Sequence, residues 1–464
     1  MLERDFDIVV LGAGASGVPA AIAAAELGQR VVLVDRGPLP GGELIGGLPI
    51  LGAANSRGEV TVAGIFSRLI ERLRDLDGYV GMPFDWRTMW GACFDPELMK
   101  LVVVDELRRA GVELRLATQA IDISRSGDGR VRGLTVHDGR DYVDLRADQF
   151  IDASGDGWLA ERAGAPMEEP PADAVRQPVS LTFRMCAVDY RALVDYVGAH
   201  PADVIVAENP IIAESEAEAA GKIAESGLPF VAVGSHREGN KLATAIAQDR
   251  MFPTTAFYTW PTSLARSEVG LNVTRIADID GTRMEEVSRV LPTLTDQVRQ
   301  ASTFLQKEIP GYERASISAL AARVGVRETK RIAGEGRLET EDVLGARKLE
   351  DGVARGAHHV DIHGAGTYQL RRYIEGGGSY DIPYAAMVPQ GVPNVIVAGR
   401  CLSSSREANG SARVMGPCIA MGEAAGVAAA TARTEGVDRF IDIDPAAIRA
   451  GLAARGALVS PDII

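Results

Sequence analysis

Thiols are scarce in this chain: four cysteines in 464 residues, at positions 93, 186, 401 and 418. None forms a C-x-x-C pair or a zinc spacing, so a disulfide-stapled scaffold is excluded and a reducing compartment is the expectation. Aromatic residues are only 5% of the chain, and histidine occurs six times, first at His137. Basic residues are outnumbered, 49 Lys and Arg against 63 Asp and Glu, for a net charge of −14. That balance argues against a protein built to grip a phosphate backbone, and there is no basic, aromatic-interleaved tract to offset it. A long apolar run is missing too. The N-terminus places Glu3, Asp5 and Asp7 ahead of its short apolar stretch, unlike a signal peptide. The least charged segment, 414–432, is broken by Gly416, Pro417 and Glu423, which suits a closely packed internal helix better than a membrane span. The expectation is a cytoplasmic protein without membrane or nucleic-acid partners.

Glycine, by contrast, is plentiful, with 51 residues, and it gathers at turns between apolar runs. Residues 7–11 read as a buried strand, 18–27 as an alanine-rich helix and 30–34 as the next strand, the βαβ pattern that begins a doubly wound sheet. Between the first strand and the helix lies Gly12-Ala13-Gly14-Ala15-Ser16-Gly17, a complete G-x-G-x-x-G. Gly12 suits a tight turn, Gly14 lets the backbone approach a pyrophosphate, and Gly17 lets helix pack on strand. The helix N-terminus adds unpaired N–H groups and a positive dipole end. Asp35 closes the second strand, 18 residues beyond Gly17, where a carboxylate accepts both ribose hydroxyls of an adenine nucleotide and repels a 2′-phosphate. A second signal spans 394–432, where a strand over 395–398 runs into Gly399-Arg400 and a glycine- and alanine-lined helix starts near Met415. Two such sites fit a long cofactor whose ring half lies at the second helix, the positive end of which stabilises charge on a reduced flavin.

A 464-residue chain exceeds one core. Glu168-Glu169-Pro170-Pro171 marks a boundary, after which polar helices and an aromatic stretch at 252–260 give a different texture until about 315. The expected organisation is a discontinuous nucleotide domain, 1–168 and 316–464, holding an inserted α+β substrate or cap domain at 169–315. Phe252, Tyr258 and Trp260 of the insert either wall a pocket or fill the cap core.

These residues resemble the FAD-dependent oxidoreductases with a fumarate-reductase-like, glutathione-reductase-type FAD fold. The matching stretches are DIVVLGAGASGVPAAIAAAELGQRVVLVDR, FIDASGDGWLAERAGAP, GVRETKRIAGEGRLETEDV, VDIH, IPYAAMVP and NVIVAGRCLSSSREANGSARVMGPCIAMGEAAGVAAA. The resemblance implies an α/β Rossmann-type FAD-binding domain and FAD held by Gly12, Gly14, Ala15, Ser16 and Gly17 at the pyrophosphate. It implies Asp35, Arg36 and Ala120 at the adenosine half, and Gly41, Gly42, Gly155, Asp156, Gly399 and Arg400 near the phosphates and ribityl chain. Ala412, Arg413 and Met415 would lie beside the flavin ring. Because no histidine precedes His137, the histidyl–flavin bond of narrower relatives has no counterpart and noncovalent FAD is expected.

The catalytic candidates come from the third block. Hydride transfer from an alcohol or amine needs a group to take the proton, and a histidine serves near neutral pH. His363 of VDIH is the candidate, with a structural, hydrogen-bonded histidine as the alternative. Arg327 of GVRET is the candidate to hold an anionic or carbonyl group, and Tyr384, with Tyr380, stands next in line. The three histidines 358, 359 and 363 lack a completing carboxylate or cysteine at a recognisable metal spacing. The expected activity is hydride exchange between a small organic molecule and flavin N5. The alternatives are an NAD(P)H-fed flavin monooxygenase, although no second dinucleotide motif is visible, and a redox-inert flavin-binding protein.

Overall fold

The computed structural model describes residues 2–171 and 174–457. Its centre is a five-stranded parallel sheet in the order Val395–Val397, Gln149–Asp152, Ile8–Leu11, Val31–Val34, Glu113–Arg115. The strands are short and apolar because both faces are covered, and Ile8–Leu11 and Val31–Val34 are buried at every position. Pairing is in register from Ile8 opposite Val31 to Leu11 opposite Val34. The sheet joins segments far apart in the chain, Val395 lying beside Phe150 and Phe150 beside Val9.

The helix Gly17–Glu26 follows the glycine turn and lies against the long helix Met415–Glu435. Glycine decides how close they come. A Cβ on Gly422 would stand 2.1 Å from the Ser16 carbonyl oxygen, and one on Gly426 2.3 Å from that of Ala20. Backbone therefore rests on backbone, which brings the start of the second helix to the end of the glycine turn. Over the outer side lies a second sheet, in the order Leu2–Asp5, Tyr142–Arg146, Val131–His137, Gln119–Arg125.

The insert is built on an antiparallel sheet ordered Val231–Gly234, Ala256–Ser263, Glu268–Asn272, Phe183–Cys186, Ser316–Leu320. The 25-residue helix Met284–Glu308 covers one face through Val290, Leu294, Val298, Phe304 and Leu305. The boundary expected at 315 falls too early. Ser316–Leu320 pairs with Phe183–Cys186 and completes the cap sheet, so the chain returns to the first domain only after Leu320. A buried Trp260 anchors the cap by donating its indole N–H to the Gly47 carbonyl at 2.7 Å. Trp260 is thus a core residue, and Phe252 packs against the cap core. Among the described residues no single helix is long and apolar enough to cross a membrane.

Candidate active site

Two cavities meet under the cap. The first follows the glycine turn and runs between the sheet and the second helix. Of the residues expected around a cofactor, Gly12, Gly14, Ala15, Ser16, Asp35, Gly42, Gly155, Gly399, Arg400, Arg413 and Met415 line it, as do Arg327 and His363. Its shape follows from the backbone. Gly12 has φ +100°, and a Cβ there would stand 2.4 Å from the Ala153 carbonyl oxygen, while a Cβ on Gly17 would stand 1.7 Å from that of Gly12. Gly14, between them, would meet nothing within 4 Å. The turn is closed against protein on two sides and open only at Gly14, the cradle that a pyrophosphate requires. At its far wall the Asp35 carboxylate accepts the N–H of Ala13 at 2.7 Å and that of Gly37 at 2.6 Å. The helix Met415–Glu435 opens at the other end of the same cavity, where Val414 and Met415 line it. A carboxylate at Asp35, an open glycine at Gly14 and a helix N-terminus at Met415 fit a cofactor of FAD's length and polarity.

The remaining expected residues stand behind this wall. The Gly41 N–H donates to the Ala13 carbonyl at 2.6 Å. Asp156 accepts from Arg400 at 2.5 Å and from the Thr329 hydroxyl at 3.0 Å. Gly17 is a packing residue, and Ala412 is buried in the short helix Arg406–Ala412. Arg36 does not line the cavity; its guanidinium reaches the Met284 sulfur of the cap at 3.5 Å. Ala120 sits opposite Val136 in the outer sheet and lines neither cavity. Tyr384 requires the clearest correction. It is buried, its hydroxyl donates to the Phe440 carbonyl at 2.6 Å, and it lines neither cavity, so it cannot act on a bound ring. Tyr380 is likewise buried, paired with the Ser411 hydroxyl at 2.7 Å.

Asp361 and His363 lie where the two cavities join and line both. The strand Val360–His363 places them two residues apart, on one face. His363 Nε2 meets the Asp361 carboxylate at 2.8 Å. A carboxylate only accepts, so Nε2 carries the proton and Nδ1 keeps its lone pair. Gln369 donates to the other Asp361 oxygen at 2.6 Å and fixes the carboxylate. Burial, with Arg327 and Arg413 close by, outweighs the attraction of Asp361 and pushes the His363 pKa down to about 3. Burial would raise the Asp361 carboxyl, but its interaction and hydrogen bond with His363, and then His359 and Arg371, hold it well below the usual carboxylate range. The pair at neutral pH is therefore a carboxylate holding a neutral imidazole.

Arg327 donates to the Pro178 carbonyl and the Ser180 hydroxyl, both at 2.7 Å, and reaches Asn272 at 3.4 Å. Burial, with the charges of Arg413 and Arg275, lowers its pKa to about 9, so it remains a cation at neutral pH. His358, lining both cavities, has Nδ1 on the His359 carbonyl at 2.7 Å and is pushed down to about 4 by burial. The second cavity continues under the cap and is walled in part by Thr254, Thr255, Ala256 and Tyr258, the last the one aromatic of the 252–260 stretch that lines it. Sequence reasoning missed Asp361, although it lies inside the VDIH stretch, and missed Arg323, whose guanidinium lies 2.8 Å from where a Gly42 Cβ would stand. Among the described residues no group of three or more His, Cys, Asp or Glu side chains could hold a metal ion.

The family described as FAD dependent oxidoreductase matches residues 7–452. The chain belongs to that family. It is an enzyme of the FAD-dependent oxidoreductase class, and FAD is its cofactor. Over 39 residues it is 54% identical to the alpha subunit of sarcosine oxidase from Rhizobium meliloti (strain 1021), a match covering 8% of this chain and 4% of that subunit. Among solved structures, a geranylgeranyl bacteriochlorophyll reductase-like protein from Thermoplasma acidophilum is 12% identical, with 97% of this chain and 83% of that chain covered and a TM-score of 0.46. A flavin-dependent brominase is 11% identical over 98% of this chain and 83% of its own, with a TM-score of 0.48. An E. coli quinol fumarate reductase is 12% identical over 98% of this chain and 74% of its own, with a TM-score of 0.42.

Proposed function

We propose that this oxidoreductase exchanges a hydride between FAD and a small organic molecule seated where the two cavities join, with His363 as the proton-transfer group. The observation that carries the reading is the pair Asp361 and His363, which borders both the cofactor cavity and the cap cavity. FAD, when bound, supplies a two-electron acceptor or donor at its ring. As an alcohol or amine carbon gives up hydride, the free Nδ1 of His363 takes the proton from its O–H or N–H. Asp361 stabilises the imidazolium that forms and keeps the ring in the tautomer that leaves Nδ1 available. Arg327, fixed to the cap strand segment by Pro178 and Ser180, places a positive charge beside an alcohol oxygen, where negative charge develops as the proton leaves.

The test is an anaerobic screen of the yellow holoenzyme against small acids, alcohols, amines and sugars, following loss of flavin absorbance. Bleaching by a member of one of these classes is the expected result. Bleaching by NADPH alone, with no response to any of the four classes, would contradict it.

A further inference from the structure

The second cavity holds more positive charge than the reaction at its mouth requires. Arg87, Arg275, Arg327 and Arg371 all line it, against a single lining carboxylate, Asp361, which is committed to His363 and Gln369. Glu208 offsets part of this from behind, meeting Arg87 at 2.9 Å and Arg371 at 2.9 and 3.1 Å. Asp85 is turned to the backbone N–H groups of Arg87, Thr88 and Met89 and to the Tyr258 hydroxyl.

Within this lining, several donors stand without partners. Arg87 is 5% exposed and its Nη2 is buried with no hydrogen bond; Arg275 is 8% exposed and its Nε is in the same state. His359, 5% exposed and stacked on His358 at 4.2 Å, leaves both ring nitrogens buried and unpaired. Leaving a buried donor unmade costs its full desolvation, and more when the donor is charged. Three separate chain segments converge on one cavity with that same deficiency, although Arg275 also donates to Thr255 at 3.0 Å and Gly364 at 2.7 Å, and Arg87 to Glu208 at 2.9 Å.

We propose that the far end of this cavity is an anion subsite, and that the substrate is an organic acid whose carboxylate is held there by Arg87, Arg275 and His359. A carboxylate offers two oxygens to a planar set of guanidinium donors and supplies the negative charge the lining lacks. The proposal rests on the reading of His363 as the reacting end: the acid spans the cavity, its carboxylate beneath the cap and its reacting carbon at the mouth. Arg371, whose Nη1 already meets both Glu208 carboxylate oxygens, acts by holding that carboxylate against Arg87 and so positions the guanidinium.

The test measures binding to the oxidised holoenzyme, without turnover, so its outcome is independent of whether hydride transfer occurs. Calorimetric titration with a series of two- to six-carbon carboxylates and their primary amides should show carboxylates binding at least about 10-fold more tightly, the size of one charge-assisted bond. Arg87→Gln and Arg275→Gln should each weaken the best carboxylate by about 10- to 100-fold, with amide affinity and FAD content unchanged. Equal affinity for acids and amides, or full carboxylate affinity in both folded variants, would overturn the subsite. Inorganic phosphate binding as tightly as the best carboxylate would assign the site to a free anion and overturn the substrate-acid reading. If either variant fails to fold, the wild-type comparison of acid with amide still decides.

Discussion

The two cavities that meet at His363 are made of different material. The cofactor cavity is shaped by backbone: Gly12, Gly14 and Gly17 in one turn, Gly399 at the end of a strand, and helix starts whose N–H groups need no particular side chain. The cap cavity is shaped by side chains, arginines above all, drawn from the 83–91 loop, the cap strands, the 325–327 segment and the strands Val360–His363 and Gln369–Arg372. A site made of backbone keeps a short sequence signature because each glycine is demanded by its neighbours a few residues away. A site made of side chains from distant segments has none, and it is free to change with the substrate while the cofactor site stays fixed.

The sharpest way to break this comparison is at the glycine turn. Gly17→Val would drive a branched Cβ into the Gly12 carbonyl and is expected to give no soluble folded protein. Gly14→Val points into open space, so the apoprotein should fold, with FAD content below about a tenth of wild type because the side chain stands in the pyrophosphate cradle. Absorbance at 450 nm after gel filtration, and FAD recovered on acid precipitation, check both. A Gly14→Val protein that keeps full FAD would remove the cradle from the account.

At the junction, His363→Ala should slow flavin reduction by about 100- to 10,000-fold with FAD retained, the range for losing general acid–base catalysis. Stopped-flow reduction with the substrate found in the screen measures this, and near wild-type rates would take the histidine out of the proton transfer.

The junction should also govern acid stability. In the folded protein His363 is pushed down to about 3 and His358 to about 4, whereas an unfolded chain binds a proton on each near pH 6.5. Between those values the unfolded state holds protons that the folded state lacks, so stability is full above about pH 6.5 and falls as pH drops through that window. The loss is at most about 1.4 kcal/mol per pH unit for each histidine, or about 4 kcal/mol for the pair at pH 5. His359, which burial pushes down in the same way, adds to the slope; urea unfolding at pH 8 and pH 5 checks it, and His363→Gln should reduce the slope by about a third.

Two smaller effects sharpen the contrast between lining and support. Asp35→Ala should weaken FAD binding by about 10- to 100-fold without unfolding the protein, as expected for losing a charge-assisted acceptor. Tyr384→Phe should cost about 1 kcal/mol of stability, the net value of one hydrogen bond, and leave reduction rates unchanged. A kinetic defect there would return the tyrosine to the site.

Much of the first cavity was legible in the sequence, and the reasons are physical. The glycine turn, Asp35, Gly399 and Met415 are each tied to a strand end or helix start that apolar periodicity reveals. Ala120 and Arg36 were carried over by resemblance alone and lie outside the lining. Tyr384 was singled out for its chemistry in a family-like stretch, and nothing in the local sequence reports that its hydroxyl is spent on Phe440, 56 residues later. Asp361 went unread beside His363 because in a strand of unknown orientation a carboxylate two residues away reads equally as a solvated charge. Arg87 carried no signal at all; its meaning comes from Glu208 and Arg371, which only the fold brings within 3.1 Å.

The central claim is that the flavin ring lies where the two cavities meet, between the start of the helix Met415–Glu435 and the pair Asp361 and His363. A crystal structure of the oxidised holoenzyme tests it most directly. The account predicts the adenosine end at Asp35, the pyrophosphate at Gly14, and the ring beside Met415 with one face open to the cap cavity at His363. A ring placed elsewhere, or one sealed from the cap cavity with His363 out of reach, would contradict it.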